Sequence, residues 1–243
     1  MTSKTTRRLI WVPIIHTQAD LGSVSGAVKA LYARKIGLKG WNRRVATIDD
    51  LWRRTREEIQ SALGGDMDYR TVRLYQDGLP NCGYEFRIVR DMIEAGSMNH
   101  RLLLELMEKG ARLMGTESPE LLIEEYELVR GVLRSLEEKT GDAPLNTGTV
   151  PMLGLSPDEN GMTGQSQHRD SPCRGERPLF SLSGPQASRS KDILRERDRY
   201  IAGRIADTLE PGETGLVFLG MLHRLRGLLP RDIGLSMLSP WKA

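Results

Sequence analysis

Short apolar runs alternate with longer amphipathic ones along this chain. Leu9-Ile10-Trp11-Val12-Pro13-Ile14-Ile15 is continuous and rich in β-branched residues, the pattern of a strand buried on both faces of a parallel sheet. Pro13 cannot donate to a ladder, so it marks the end of that strand. Thr71-Val72-Arg73-Leu74-Tyr75 predicts a second strand, ending at Gln76-Asp77-Gly78. Ala111 to Met114 predicts a third, leading into Gly115-Thr116-Glu117. Gly215-Leu216-Val217-Phe218-Leu219 predicts another, ending at Gly220-Met221-Leu222-His223, and a short strand near Ile233 to Leu238 completes the set.

The intervals between these runs have helical spacing. One helix is expected from about Ser23 to Ile36, stopped by Gly37. Thr47 and Asp50 have the spacing of a capping box, which starts a second helix carrying Ile48, Leu51, Trp52, Ile59 and Leu63 on one stripe before Gly64-Gly65. Ile88, Val89, Met92 and Ile93 mark a third before Gly96. Ser97 caps a fourth that carries Leu102, Leu103, Leu106 and Met107 to Gly110. Ser118-Pro119 pairs a cap with proline at the first helical position and opens a long helix to about Lys139. Helical pattern returns with Ile193, Leu194, Tyr200, Ile201, Ile205 and Leu209. Strands alternating with helices predict an α/β fold, with a mainly parallel central sheet and helices on both faces. Residues 141–190 break the pattern: they are crowded with Gly, Pro, Ser, Gln and Asn and show no period. Too few large apolar residues are present there to offset ordering entropy, so the segment is expected as a disordered insertion within one domain spanning 1–243.

Composition changes this picture only by exclusion. Apolar residues make up 39% and charged residues 28%, near globular averages. A net charge of +3, from 35 basic and 32 acidic residues, gives no basic excess for nucleic acid. Aromatic residues, at 5%, are too sparse for a base-stacking platform. The two cysteines, Cys82 and Cys173, are too few for a disulfide scaffold or a zinc cage, which suits a reducing, cytoplasmic compartment. The apolar run after Lys4, Arg7 and Arg8 stops at His16, short of a secretory core, and no stretch approaches a membrane span.

Candidate chemistry sits where the strands end. His16, Gln76-Asp77, Thr116-Glu117 and His223 each follow an apolar run, and parallel strands would gather them on one edge. That carboxyl edge is where open α/β sheets bind ligands. Two imidazoles and one or two carboxylates can hold a divalent ion such as Zn, Mn or Co with open positions. The expected ligands are His16, His223 and Glu117, with Asp77 as an alternative third ligand or general base. Each residue also has a plainer reading. A histidine after a strand is more often hydrogen-bonded structure, Glu117 suits the start of the helix after it, and Asp77-Gly78 is an ordinary turn pair. His100 and His168 read as exposed or loop residues, and Cys82, having no assigned base, reads as a buried thiol.

Gly220-Met221-Leu222-His223 resembles the GxxH motif of the TraB/Tiki/erythromycin-esterase group, which uses two such motifs on neighbouring strands. Pro13-Ile14-Ile15-His16 occupies the first position with proline in place of glycine. Glu196-Arg197-Asp198-Arg199-Tyr200-Ile201-Ala202 resembles the ERDxYIA helix of TraB-type proteins. The group usually carries an acidic residue after its second strand, where this chain has Gln76-Asp77. The resemblance implies metal-assisted hydrolysis of an ester or peptide bond in a small-molecule or peptide substrate. Within it, Glu117 and Asp77 are candidate catalytic carboxylates and Arg197 an oxyanion stabiliser, although an ion pair with Glu196 is the commoner fate of such an arginine. Two other functions share the same fold: a non-catalytic module for a small ligand or haem, and a regulatory scaffold.

Overall fold

The computed structural model describes residues 6–14, 25–140 and 184–239. Five strands form one sheet in the order β3-β2-β4-β1-β5, where β1 is Arg7–Pro13, β2 Val72–Gln76, β3 Arg112–Met114, β4 Thr214–Leu219 and β5 Ile233–Met237. Every neighbouring pair is parallel. β1 and β2, the first two strands, both pair with β4, so the carboxyl ends of β1, β4 and β2 lie side by side. As its proline predicts, β1 ends at Pro13, opposite Leu219.

The alternation of strand side chains divides the core in two. Ile10, Val12, Val72, Leu74, Leu216 and Phe218 point to one face and pack with Trp52, Ile59, Val89, Leu103 and Leu106. Those partners come from helices α1 (Ser25–Leu63), α2 (Glu85–Glu94) and α3 (Met98–Glu108). Leu9, Trp11, Tyr75, Val217 and Leu219 point to the other face, onto Ile201, Ala202 and Ile205 of α5 (Gly184–Thr208). Helices therefore cover both faces, as a sheet of strands buried on both sides requires. α4 (Pro119–Thr140) packs beside α5, and Arg189 on Glu124 joins them. Ser118 caps α4 by accepting from the Leu121 amide at 3.3 Å, and Ser97 caps α3 by accepting from the His100 amide at 3.3 Å. No described helix is long and apolar enough to cross a membrane.

Four expectations change. The helix expected to begin at Thr47 begins after Gly37, where the span 25–63 is broken by left-handed φ of 73°. The Thr47 hydroxyl donates to the Arg43 carbonyl, one turn back, instead of capping a start. Of the expected insertion, residues 184–190 form the first turns of α5, because Ser190 is buried and Arg189 is bound to α4; residues 141–183, with His168 and Cys173, lie outside the described residues. His100 is buried, with Nδ1 2.7 Å from the Ser97 hydroxyl. Cys82 is an exposed free thiol, not a buried one.

Candidate functional site at the carboxyl edge

Three loops and two helices, α5 and α4, bring the site together. The turn after β2 is closed by the Leu79 amide on the Gln76 carbonyl at 3.2 Å, with Gly78 at φ 74°, and it projects Asp77 toward α5. The link from β3 to α4 carries Glu117, which is fully buried. It is pinned to the β2 loop by the Asn81 amide on the Glu117 carbonyl at 2.9 Å. The turn after β4 carries His223, whose amide donates to the Gly220 carbonyl at 3.3 Å. α5 supplies Arg197 and Asp198 from its middle.

Arg197 is the centre of this arrangement and is only 2% exposed. Its Nε donates to Glu117 Oε2 at 2.9 Å and its Nη2 to Glu117 Oε1 at 2.5 Å, a bidentate clasp. Nη2 also donates to Asp77 Oδ1 at 2.6 Å, and Nη1 to Glu125 Oε2, from α4, at 2.6 Å. The surface ion pair with Glu196 weighed from sequence is not formed; Glu196 meets Arg189 at 3.2 Å instead.

His223 stands on the other side of Asp77. Its Nδ1 lies 2.7 Å from Asp198 Oδ1, and its Nε2 lies 3.4 Å from Asp77 Oδ2. Backbone amides complete both carboxylates: Gly220 donates to Asp77 Oδ2 at 3.1 Å and Arg224 to Asp198 Oδ2 at 3.0 Å. Gly78 likewise donates to Glu117 Oε1 at 3.2 Å.

Four buried or nearly buried carboxylates thus face one guanidinium and one imidazole. The charge excess is negative, and it appears in the titration of the cluster. Burial pushes the Glu125 carboxyl up to about 7, even against the pull of Arg197. Burial draws the His223 ring down, but the Asp77 charge and the hydrogen bonds to Asp198 and Asp77 outweigh it and carry the ring to about 10. Burial also opposes the Arg197 charge, and the Glu117 charge overcomes it, holding the guanidinium well above its ordinary value.

Asp77, Glu117 and His223 each offer one ligand atom, and these atoms lie within 4.8 Å of one another. The residue types suit a divalent cation, which would displace the Nε2 proton of His223 and share the Glu117 carboxylate with Arg197. The imidazole gives its Nδ1 to a carboxylate and turns Nε2 to the site, as ligating histidines usually do. Asp77 divides its oxygens, Oδ1 to Arg197 and Oδ2 toward Nε2. His16, the other expected histidine, lies outside the described residues, and so does its pairing with His223. The structure brings Asp77, Glu117, Arg197 and His223 together, and adds Glu125 and Asp198, which sequence reasoning did not select. No known family model matches the chain, and neither does any curated protein or solved structure.

Proposed function

We propose that this protein is a metal-assisted hydrolase, acting on an ester or peptide bond of a small-molecule or peptide substrate bound at the carboxyl edge of the sheet. The observation that carries this reading is the convergence of Asp77, Glu117 and His223 inside a buried cluster with excess negative charge. A divalent ion such as Zn, Mn or Co, held by His223 Nε2 and the two carboxylates, would supply Lewis acidity and a water of lowered pKa. His16 is a further ligand in this proposal. Arg197 orders the site by gripping Asp77, Glu117 and Glu125, so its role is to position carboxylates more than to meet an oxyanion directly. One of Glu117 and Asp77 would serve as a ligand and the other as general base, through an oxygen freed from its present hydrogen bonds. Exposed apolar side chains follow two of the strands that form the edge, Tyr84 after β2 and Met221 after β4, and a substrate with an apolar part would cover them. A reducing, cytoplasmic setting accords with the free thiol of Cys82.

A second reading has its own observation. Arg197 already gives four hydrogen bonds to the carboxylates, so part of the charge is compensated without a cation. This favours a cluster that needs no cation and, with it, a non-catalytic module on the same fold, of which a small-ligand or haem carrier is one form.

Elemental analysis of protein purified without a histidine tag separates the two. Stoichiometric Zn, Mn or Co that is lost in His223→Ala and Asp77→Ala, together with ester or peptide hydrolysis lost on chelation, supports the hydrolase. Bound haem, or folded protein that takes up no divalent ion at micromolar concentration, overturns it.

A further inference from the structure

Asp198 is a buried carboxylate with no part in the expected ligand set. It directly follows Arg197 on α5, and successive helical residues project about 100° apart. Arg197 therefore faces the carboxylates while Asp198 faces the turn after β4. Both Asp198 oxygens are committed there, Oδ1 to His223 Nδ1 at 2.7 Å and Oδ2 to the Arg224 amide at 3.0 Å. The same turn is held at its start by the Gly220 amide on Asp77 at 3.1 Å. The imidazole is thus fixed from behind by one carboxylate and presents Nε2 to another.

We propose that Asp198 is the positioning residue of this site: it accepts the Nδ1 proton of His223 and so fixes which ring nitrogen, and which ring orientation, is offered to a cation beside Asp77 and Glu117. This rests on the metal reading above for its purpose, but the ring orientation stands on geometry alone. Asparagine at this position keeps the shape and loses one acceptor. The site presents two donors, His223 Nδ1–H and the Arg224 amide, and an asparagine side chain has only one oxygen to meet them. If that oxygen stays on Arg224, its NH2 group confronts Nδ1 and favours the ring with its proton on Nε2. If it turns to Nδ1, the NH2 group confronts the Arg224 N–H. The first arrangement removes Nε2 as a ligand, and the second keeps the tautomer but pushes away the turn that carries the His223 ring.

The test compares wild type, Asp198→Asn and Asp198→Glu, with thermal stability measured beside each. In metal-free wild-type protein, nitrogen-15 NMR of the His223 ring should show a strongly downfield, slowly exchanging Nδ1 proton. That signal should vanish or move upfield in Asp198→Asn and partly return in Asp198→Glu. In calorimetric titration with Zn or Co, Asp198→Asn should bind about 10- to 100-fold more weakly, while its melting temperature falls only by the few degrees that one unpaired buried donor costs and the protein stays folded. A cadmium-loaded wild-type sample, which needs no variant to fold, should show cadmium–nitrogen coupling at Nε2. Coupling at Nδ1, or an Nδ1 proton that Asp198→Asn leaves unmoved, overturns the proposal. A ring signal that responds as expected in a protein binding no divalent ion upholds the positioning by Asp198 and sinks the metal reading instead.

Discussion

Replacing Arg197 by methionine would leave three carboxylates, Asp77, Glu117 and Glu125, around an apolar side chain of similar length. Removing one partner of a buried charge cluster leaves uncompensated charge, which costs about 3–5 kcal/mol. The expected result is a loss of that size in denaturant unfolding, and Arg197→Lys should recover only part of it, since a single ammonium cannot reproduce the fork on Glu117. Full stability in Arg197→Met would show that the carboxylates relax into solvent. The buried arginine was legible in principle: Ile193, Arg197, Ile201 and Ile205 share one stripe of α5, so Arg197 interrupts an apolar face. Glu125 carries a comparable signal, standing one turn before the buried Val129 among acids that are less buried or exposed. Asp198 has a subtler one, because its role depends on a turn 25 residues away, reached only once β4 lies between β2 and β1.

At the scale of elements, the three central strands β1, β2 and β4 were legible because they are buried on both faces and read as apolar runs, whereas the edge strands β3 and β5 are short and partly exposed. The helix starts were less so. Thr47 and Asp50 have capping spacing, but the helix that begins after Gly37 continues through them, and the Thr47 hydroxyl turns back to Arg43. What no periodicity reveals is the close approach between the link after β3 and the loop after β2. A Cβ at Gly115 would stand 2.5 Å from Asn81 Cα and 2.8 Å from Glu85 Oε1, whereas one at Gly215 would meet the tip of Leu9, Cδ1, at 2.7 Å. Backbone cannot yield as a leucine methyl can. Gly115→Ala should therefore cost about 1–3 kcal/mol as an overpacking change, and Gly215→Ala less. Hydrogen exchange gives a second check on Gly115→Ala. Cys82 and Gly83 both donate to Glu85 Oε1, at 2.8 and 2.9 Å, so displacement of that carboxylate should speed exchange of these two amides. Equal costs for the two glycines, with unchanged exchange, would mean that the loop shifts freely.

At the scale of the whole molecule, the negative excess at the carboxyl edge sets how stability depends on pH. Glu125 is pushed up to about 7 in the folded protein from an ordinary 4.5, so between those values the folded state holds a proton that the unfolded chain has released. Stability then falls as pH rises through that window. The His223 ring is raised from 6.5 to about 10, so its contribution is full below 6.5 and is lost as pH climbs through 10. Both groups tilt the profile the same way. Glu213, held low because hydrogen bonds from Arg73 and the Glu210 amide outweigh its burial, acts in the opposite sense, but its stabilisation is lost only as pH falls below the ordinary 4.5. Melting temperatures measured with a chelator present should therefore be highest near pH 5 and decline steadily toward pH 9. Glu125→Gln isolates the first part of that decline, because an amide keeps an acceptor for Arg197 Nη1 and does not titrate. The variant should be nearly flat from pH 5 to 6.5 and then fall with wild type, because above 6.5 the unfolded chain releases the His223 proton while the folded state holds it up to about 10. A wild-type profile that rises between pH 5 and 7, or a Glu125→Gln profile that keeps the early decline, would mean that the cluster holds its charge differently, with Glu125 ionised beside Arg197 throughout.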